Sequence, residues 1–145
     1  MLVRLIYASR AMAEIDDAML ASILRRSREN NEVLGITGIL CVQKEPGLFL
    51  QVLEGGRAEV NRVYDHIVRD GRHYDVTLID YGEIDARRFP SWRMGSVDLE
   101  KVNRSIVLRY SHGIVLDPYA MSPTSALEML GEIASSAAIV SRDGP

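Results

Sequence analysis

Two apolar runs, residues 36 to 43 (ITGILCVQ) and 48 to 53 (LFLQVL), stand either side of a four-residue connection, Lys44 to Gly47 (KEPG). Runs this short, rich in β-branched and aromatic residues, read as strands, and so short a link makes them an antiparallel hairpin. The hairpin constrains the fold more than any other segment, because an amphipathic helix and a further strand flank it on each side. Upstream, residues 2 to 8 (LVRLIYA) read as a strand. Glu14 to Asn31 reads as a helix with Ile15, Met19, Ile23 and Leu24 along one side, stopped by Asn30, Asn31 and Gly35. Downstream, Glu54-Gly55-Gly56 reads as a break. Ala58 to Arg69 then forms a second helix, with Val60, Val63, Tyr64, Ile67 and Val68 on one side and Asp70-Gly71 ending it. Residues 75 to 81 (DVTLIDY) and, after the charged connection EIDARRFP, residues 91 to 98 (SWRMGSVD) read as strands.

The order is βαββαββ. The fold class is α+β: a ferredoxin-like mixed sheet with two helices on one face. The tail is helical in pattern. Asp98 is placed to cap a helix from about Leu99 to Ser111, ended by Gly113. Ser122 caps another with Pro123 at its first position, and Leu127, Leu130, Ile133, Ala134 and Ala137 keep a helical period to about Val140. A sheet has two faces and the first two helices cover one, so the tail helices are expected to cover the other.

Composition narrows the function. With 145 residues, 47% of them hydrophobic and 26% charged, the chain suits one globular domain and not a disordered one. Seventeen basic and 20 acidic residues are interspersed, a net charge of −3 that builds no field for nucleic acid. Fifteen of the 17 basic residues are Arg, which favours fixed, bidentate contacts over loose point charges. No apolar run has the length of a membrane span, and MLVRLIYASR turns polar too quickly for a secretory signal. The single cysteine, Cys41, excludes an internal disulfide and a Cys-based zinc site and suits a reducing cytoplasm.

Enzyme templates are missing: there is no GxSxG, HExxH, Walker A or GxGxxG. His66, His73 and His112 are scattered, so no metal site is expected. Ser9, His73 and Asp70 compose a Ser–His–Asp set on paper, as most sequences allow somewhere. Polar and aromatic residues in apolar strands are more informative. Gln51 interrupts LFLQVL, and its plainer role is an outward-facing side chain. Tyr7 ends the first strand, a position equally suited to a core aromatic with its hydroxyl at the rim. Asn31 suits an ordinary helix C-terminus. Trp92 and Met94, two apart, share one face of the last strand, where core filling is the plainer role.

Taken in order, five pieces resemble the BLUF family, blue-light sensors that bind flavin. They are LIYASR with Tyr7, NNEVLGITGIL with Asn31, GLFLQVLEG with Gln51, IVRDGRHYDV, and RRFPSWRMG with Trp92 and Met94, over about residues 2 to 97. The resemblance implies a non-enzymatic, cytoplasmic, bacterial photoreceptor, with residues 1–98 as the flavin-binding sensor and 99–145 as a helical extension of the same compact unit. It implies FAD, with FMN as the alternative, lying between the two helices with its ring edge-on to the sheet. Tyr7, Gln51, Trp92 and Met94 would be the photoactive set, with Tyr7 as electron and proton donor. Asn31, Gln51, Ile23, Ser27, Ile67, Asp70, Arg72 and His73 would bind the cofactor. An amide suits a switch, because one end donates and the other only accepts, so rotation or tautomerisation reverses what it presents to the flavin. Which of these occurs stays open, as does whether Trp92 or Met94 lies beside Gln51. At Asn30 the chain departs from members with His there, so an imidazole stacked on the ring is not expected.

Light is then expected to be reported to a separate protein, with the tail helices as relay, and an uncovered apolar sheet or tail face would allow a homodimer. Two other readings compete. One is a small ferredoxin-like acyl-phosphate hydrolase using Arg72 and Asn31, against which SRAMAEIDD contains no Gly for a phosphate loop. The other is a flavin-free adaptor that keeps only the fold.

Overall fold

Strands follow the apolar runs and extend past them. The structure, a computed structural model, describes residues 1–91 and 94–136 and the backbone of 139–141. In chain order the elements are β1 (Leu2–Ala11), α1 (Asp17–Leu34), β2 (Thr37–Gln43), β3 (Leu48–Gly56), α2 (Arg57–Arg69), β4 (His73–Glu83), β5 (Gly95–Asp98), α3 (Arg104–Tyr110), α4 (Pro123–Ser135) and β6 (Ile139–Ser141). Single 3₁₀ turns occupy Leu99–Lys101 and Pro118–Ala120. Among the described residues the strands form one sheet in the order β4-β1-β3-β2-β5-β6. All neighbours are antiparallel except β2 and β5, which run parallel. This is the α+β, ferredoxin-like mixed sheet, with β3 at its centre.

Alternation along the strands sorts the side chains into two cores. Val3, Leu5, Tyr7, Leu40, Phe49 and Leu53 face α1 and α2, where they pack with Ile23, Leu24, Val60 and Ile67. Ile6, Ala8, Ile39, Cys41, Leu50 and Val52 face the tail, against Val107 of α3 and Met129, Leu130 and Ile133 of α4. The tail thus covers the second face, as the one-sided helix packing of the first hundred residues requires.

Local chemistry sets the boundaries. Asp16 caps α1 by accepting from the Met19 N–H at 2.7 Å, so the helix begins at Asp17 and not at Glu14. It runs on to Leu34, because the left-handed residue that ends it is Gly35 (φ 69°), not Asn31. Asn31 is therefore one turn inside the helix, and 2% exposed. Gly38 has a different reason to be glycine: a Cβ there would lie 1.9 Å from the Val52 carbonyl oxygen on β3.

Four expectations are corrected. Glu54-Gly55-Gly56 is no break, since β3 continues through it. The last strand of the sensor region begins at Gly95 and not at residue 91, so Met94 stands just before it. The helix expected over 99–111 is divided: Asp98 accepts from the Glu100 N–H at 3.0 Å in a single turn, and Asn103 then caps α3 afresh through the Ser105 N–H at 3.0 Å. The last helix ends at Ser135, where the Ser136 N–H bonds back to Glu132 and Ile133. Beyond it, the β-branched Ile139 and Val140 form β6, which closes the open edge of β5. Ala137, expected on that helix, lies outside the described residues.

Candidate functional site

The centre of the sheet brings two predicted residues face to face. In the β1–β3 register Tyr7 is opposite Gln51, and in the β2–β3 register Leu40 is. Both Tyr7 and Gln51 are buried on the α1/α2 side, not turned outward. The Tyr7 hydroxyl donates to Gln51 Oε1. Gln51 Nε2 donates to Met94 Sδ at 3.2 Å. A thioether sulfur only accepts, so the amide nitrogen must face Met94 and its oxygen Tyr7. The structure therefore puts Met94 beside Gln51. Trp92 lies outside the described residues.

Burial pushes the Tyr7 phenol well above its ordinary pKa, with Tyr64 and Asp70 adding to the effect. It is a neutral O–H donor throughout the physiological range. The Tyr64 ring on α2 lies 5.7 Å from it, tilted by 50°.

A cavity of about 770 Å³ opens between α1 and α2 onto this pair. Its size is within the range of cofactor pockets. Ile23, Ser27 and Asn31 line it from α1, Ile67 from α2, Gln51 from β3, and Asp70, Arg72 and His73 from the α2–β4 corner. These are all eight of the expected cofactor-binding residues. Phe49, Asn30, Arg26, Arg62, His66 and Arg69 also line it. The make-up suits a flat aromatic heterocycle with an anionic extension. Ile23, Ile67 and Phe49 offer apolar faces, the buried amides Asn31 and Gln51 offer donors and acceptors for ring heteroatoms, and arginines stand at the mouth for phosphate.

At the corner, Arg72 grips Asp70 through Nε at 3.0 Å and Nη2 at 2.6 Å, and this hydrogen bonding holds the Asp70 carboxyl below its usual range. His73 Nε2 bonds the Ile67 carbonyl, which only accepts, so that nitrogen carries the hydrogen. Nδ1 then accepts from the buried Ser9 hydroxyl at 2.8 Å. Ser9 and His73 are thus neighbours, but Asp70 pairs with Arg72 and Ser9 has no exposed surface, so the nominal triad is a structural link between β1, α2 and β4.

Two contributors have no local signal in the sequence. Glu54, with no exposed surface, accepts from Arg4 Nε at 2.8 Å and from the N–H groups of Arg88 at 3.0 Å and Phe89 at 2.7 Å. It ties the β4–β5 connection to the strand that carries Gln51. Arg28 reaches from α1 to the Met94 carbonyl, with Nε at 3.2 Å and Nη2 at 3.1 Å.

Comparison with known proteins identifies the family. Residues 2–95 match the family model described as BLUF, sensors of blue-light using FAD. The photoactivated adenylate cyclase subunit beta of Euglena gracilis is 36% identical over 94 residues, 64% of this chain but 10% of that protein. The chain thus spans about a tenth of the length of that relative. Among solved structures, the dark state of BlrB, a BLUF protein, superposes with a TM-score of 0.77 at 32% identity, covering 92% of this chain and 94% of that one. The photo-activated state of BlsA gives 0.83 at 27% identity over 100% of both chains. The family match covers both helices and the strands between which the Tyr7–Gln51 pair and its cavity are built, and the chain belongs to the BLUF family of blue-light sensors.

Proposed function

We propose that the Tyr7–Gln51–Met94 chain is the light switch of this sensor, acting on a FAD held between α1 and α2. The observation that carries the reading is a continuous hydrogen-bonded line, phenol to amide to thioether, at the buried end of the cavity. Ile23, Ser27 and Ile67 would flank the ring, Asn31 and Gln51 would bond its heteroatom edge, and Asp70, Arg72 and His73 would border it toward the phosphates. FMN would use the same ring contacts and fewer of the arginines at the mouth.

When bound, the flavin supplies absorption of blue light and, once excited, an electron-accepting ring. Tyr7 is the electron donor. Loss of an electron makes its O–H strongly acidic, and the proton leaves along the existing bond to Gln51 Oε1. Gln51 would rearrange, by turning or by tautomerising, and Tyr7 would end as it began, a neutral phenol. The net change is one of hydrogen bonding alone. A turned amide sets Oε1 against the Met94 sulfur, acceptor against acceptor, and the 3.2 Å bond is lost. Met94 then yields, and the residue that follows it begins β5.

The output in this reading is a separate protein, addressed through the tail. Phe89 of the β4–β5 connection packs among Leu116, Met129, Leu130 and Ile133, which gives that connection a direct hold on α4. Trp92 stays part of the proposed photoactive set. A homodimer fits the exposed Leu78 and Tyr81 on the edge strand β4. A cytoplasmic location fits the single, fully buried Cys41.

The test is the cofactor itself. Protein purified in the dark is expected to be yellow and to release FAD on denaturation, one per chain. Asn31→Ala is expected to lower retention by about tenfold, as loss of a buried cofactor hydrogen bond does. A colourless protein that takes up neither FAD nor FMN on reconstitution would contradict the reading and favour a flavin-free adaptor.

A further inference from the structure

Met94 is held through more than its side chain. Its carbonyl oxygen receives two N–H groups from one planar guanidinium, Arg28 Nε at 3.2 Å and Nη2 at 3.1 Å. Arg28 is on α1, one turn before Asn31, yet it does not line the cavity. Six residues upstream of Met94, the other end of the segment is fixed as well. The Arg88 and Phe89 N–H groups end on the buried carboxylate of Glu54. Gln51 and Glu54 are three apart on β3 and point to opposite faces. One strand therefore contacts the segment at both ends, at the amide that would switch and at the carboxylate that does not move with it.

The mechanical consequence follows from chain geometry. Met94 stands just before β5, whose Gly95 pairs with Ile39 of β2, and the pin that acts on Met94 itself is the contact on its carbonyl. That pin is a two-pronged contact from α1, and a fork on one acceptor restricts orientation more than a single bond would. We propose that Arg28 is a positioning residue of the switch: its grip on the Met94 backbone keeps the Met94 sulfur within hydrogen-bonding reach of Gln51. The proposal rests on the switch described above and adds to it the residue that sets the resting position of Met94. Without the grip Met94 samples other positions, the resting amide loses a fixed acceptor, the turned amide is no longer opposed by a fixed sulfur, and the return to the resting orientation slows.

The test uses the full chain, loaded with flavin. The ¹³C-methyl resonance of Met94, identified through Met94→Leu, is read in the dark, and the rate of dark recovery is read after illumination. Arg28→Ala is expected to move or broaden that resonance and to slow recovery about tenfold, the factor one charge-assisted hydrogen bond is worth. Arg28→Lys, which keeps the charge without the fork, is expected to change both by less. Arg25→Ala, an exposed arginine on the same helix, is expected to change neither. The proposal is overturned if Arg28→Ala leaves either readout at its wild-type value, or if Arg25→Ala reproduces the effect. Should Arg28→Ala not fold, Arg28→Lys decides alone, and a wild-type resonance and rate would overturn it. If the wild-type chain gives no light response, the switch reading fails, while the dark Met94 resonance still decides whether Arg28 positions Met94.

Discussion

Gln51→Leu is expected still to bind flavin, more weakly by the loss of one hydrogen bond, and to lose the light-induced red shift completely. Leucine is close to glutamine in volume, and the apolar neighbours Leu40, Phe49 and Leu53 tolerate it. What disappears is the group that accepts from Tyr7 and donates to Met94. The Tyr7 hydroxyl is left buried without that acceptor, a destabilisation of about 1–3 kcal/mol, so a lower Tm is part of the expected result. The light-minus-dark spectrum checks the first outcome and thermal unfolding the second. A full red shift in a folded, flavin-loaded Gln51→Leu protein would show that the amide is not the switch.

Tyr7→Phe is the second large effect. The ring and its packing against Tyr64 survive, so flavin binding is expected to stay at the wild-type level. The stability change is about 1 kcal/mol, the worth of the hydroxyl's hydrogen bond. The photocycle is expected to vanish, because the variant lacks both the oxidisable phenol and the proton it passes to Gln51. Flavin fluorescence is expected to rise as that quenching route closes. A normal photocycle in Tyr7→Phe would reassign the donor, with Tyr64 the next phenol along.

These two residues were legible through the family resemblance, since alone Gln51 reads as an outward-facing side chain and Tyr7 as a core aromatic. The βαββαββ order carries the pairing of their strands, and β1 runs on to Ala11, so Tyr7 lies within its strand and not at its end. The placing of helices on both faces of the sheet was legible because amphipathic helices declare which side they bury. Arg28 and Glu54 were not. Arg28 meets Met94 across 66 positions, and Glu54 meets Phe89 across 35. Such contacts leave no local trace, and a buried carboxylate looks like any acidic residue until its donors are seen. The tail shows the limit of periodicity in another way. Its apolar spacing continued past Ser135, but α4 stopped where its last carbonyls found the Ser136 N–H, and the chain turned to close the β5 edge. Of the three stop signals at the end of α1, Asn30, Asn31 and Gly35, it is the left-handed Gly35 that ends the helix, so Asn31 lies inside it.

Cys41 separates two ways a flavin protein can answer light. Its thiol, pushed up to about 12 by burial, is neutral, and its side chain is in the core facing the tail, away from the cavity. It is not placed to bond to a flavin ring. The measurement that decides the central claim is therefore the absorption spectrum of the purified, flavin-loaded protein before, during and after blue light. A hydrogen-bond switch through Gln51 predicts a small red shift of the visible band, with its intensity retained and its position restored in the dark. A spectrum unchanged by light, or a visible band bleached by light, would contradict it.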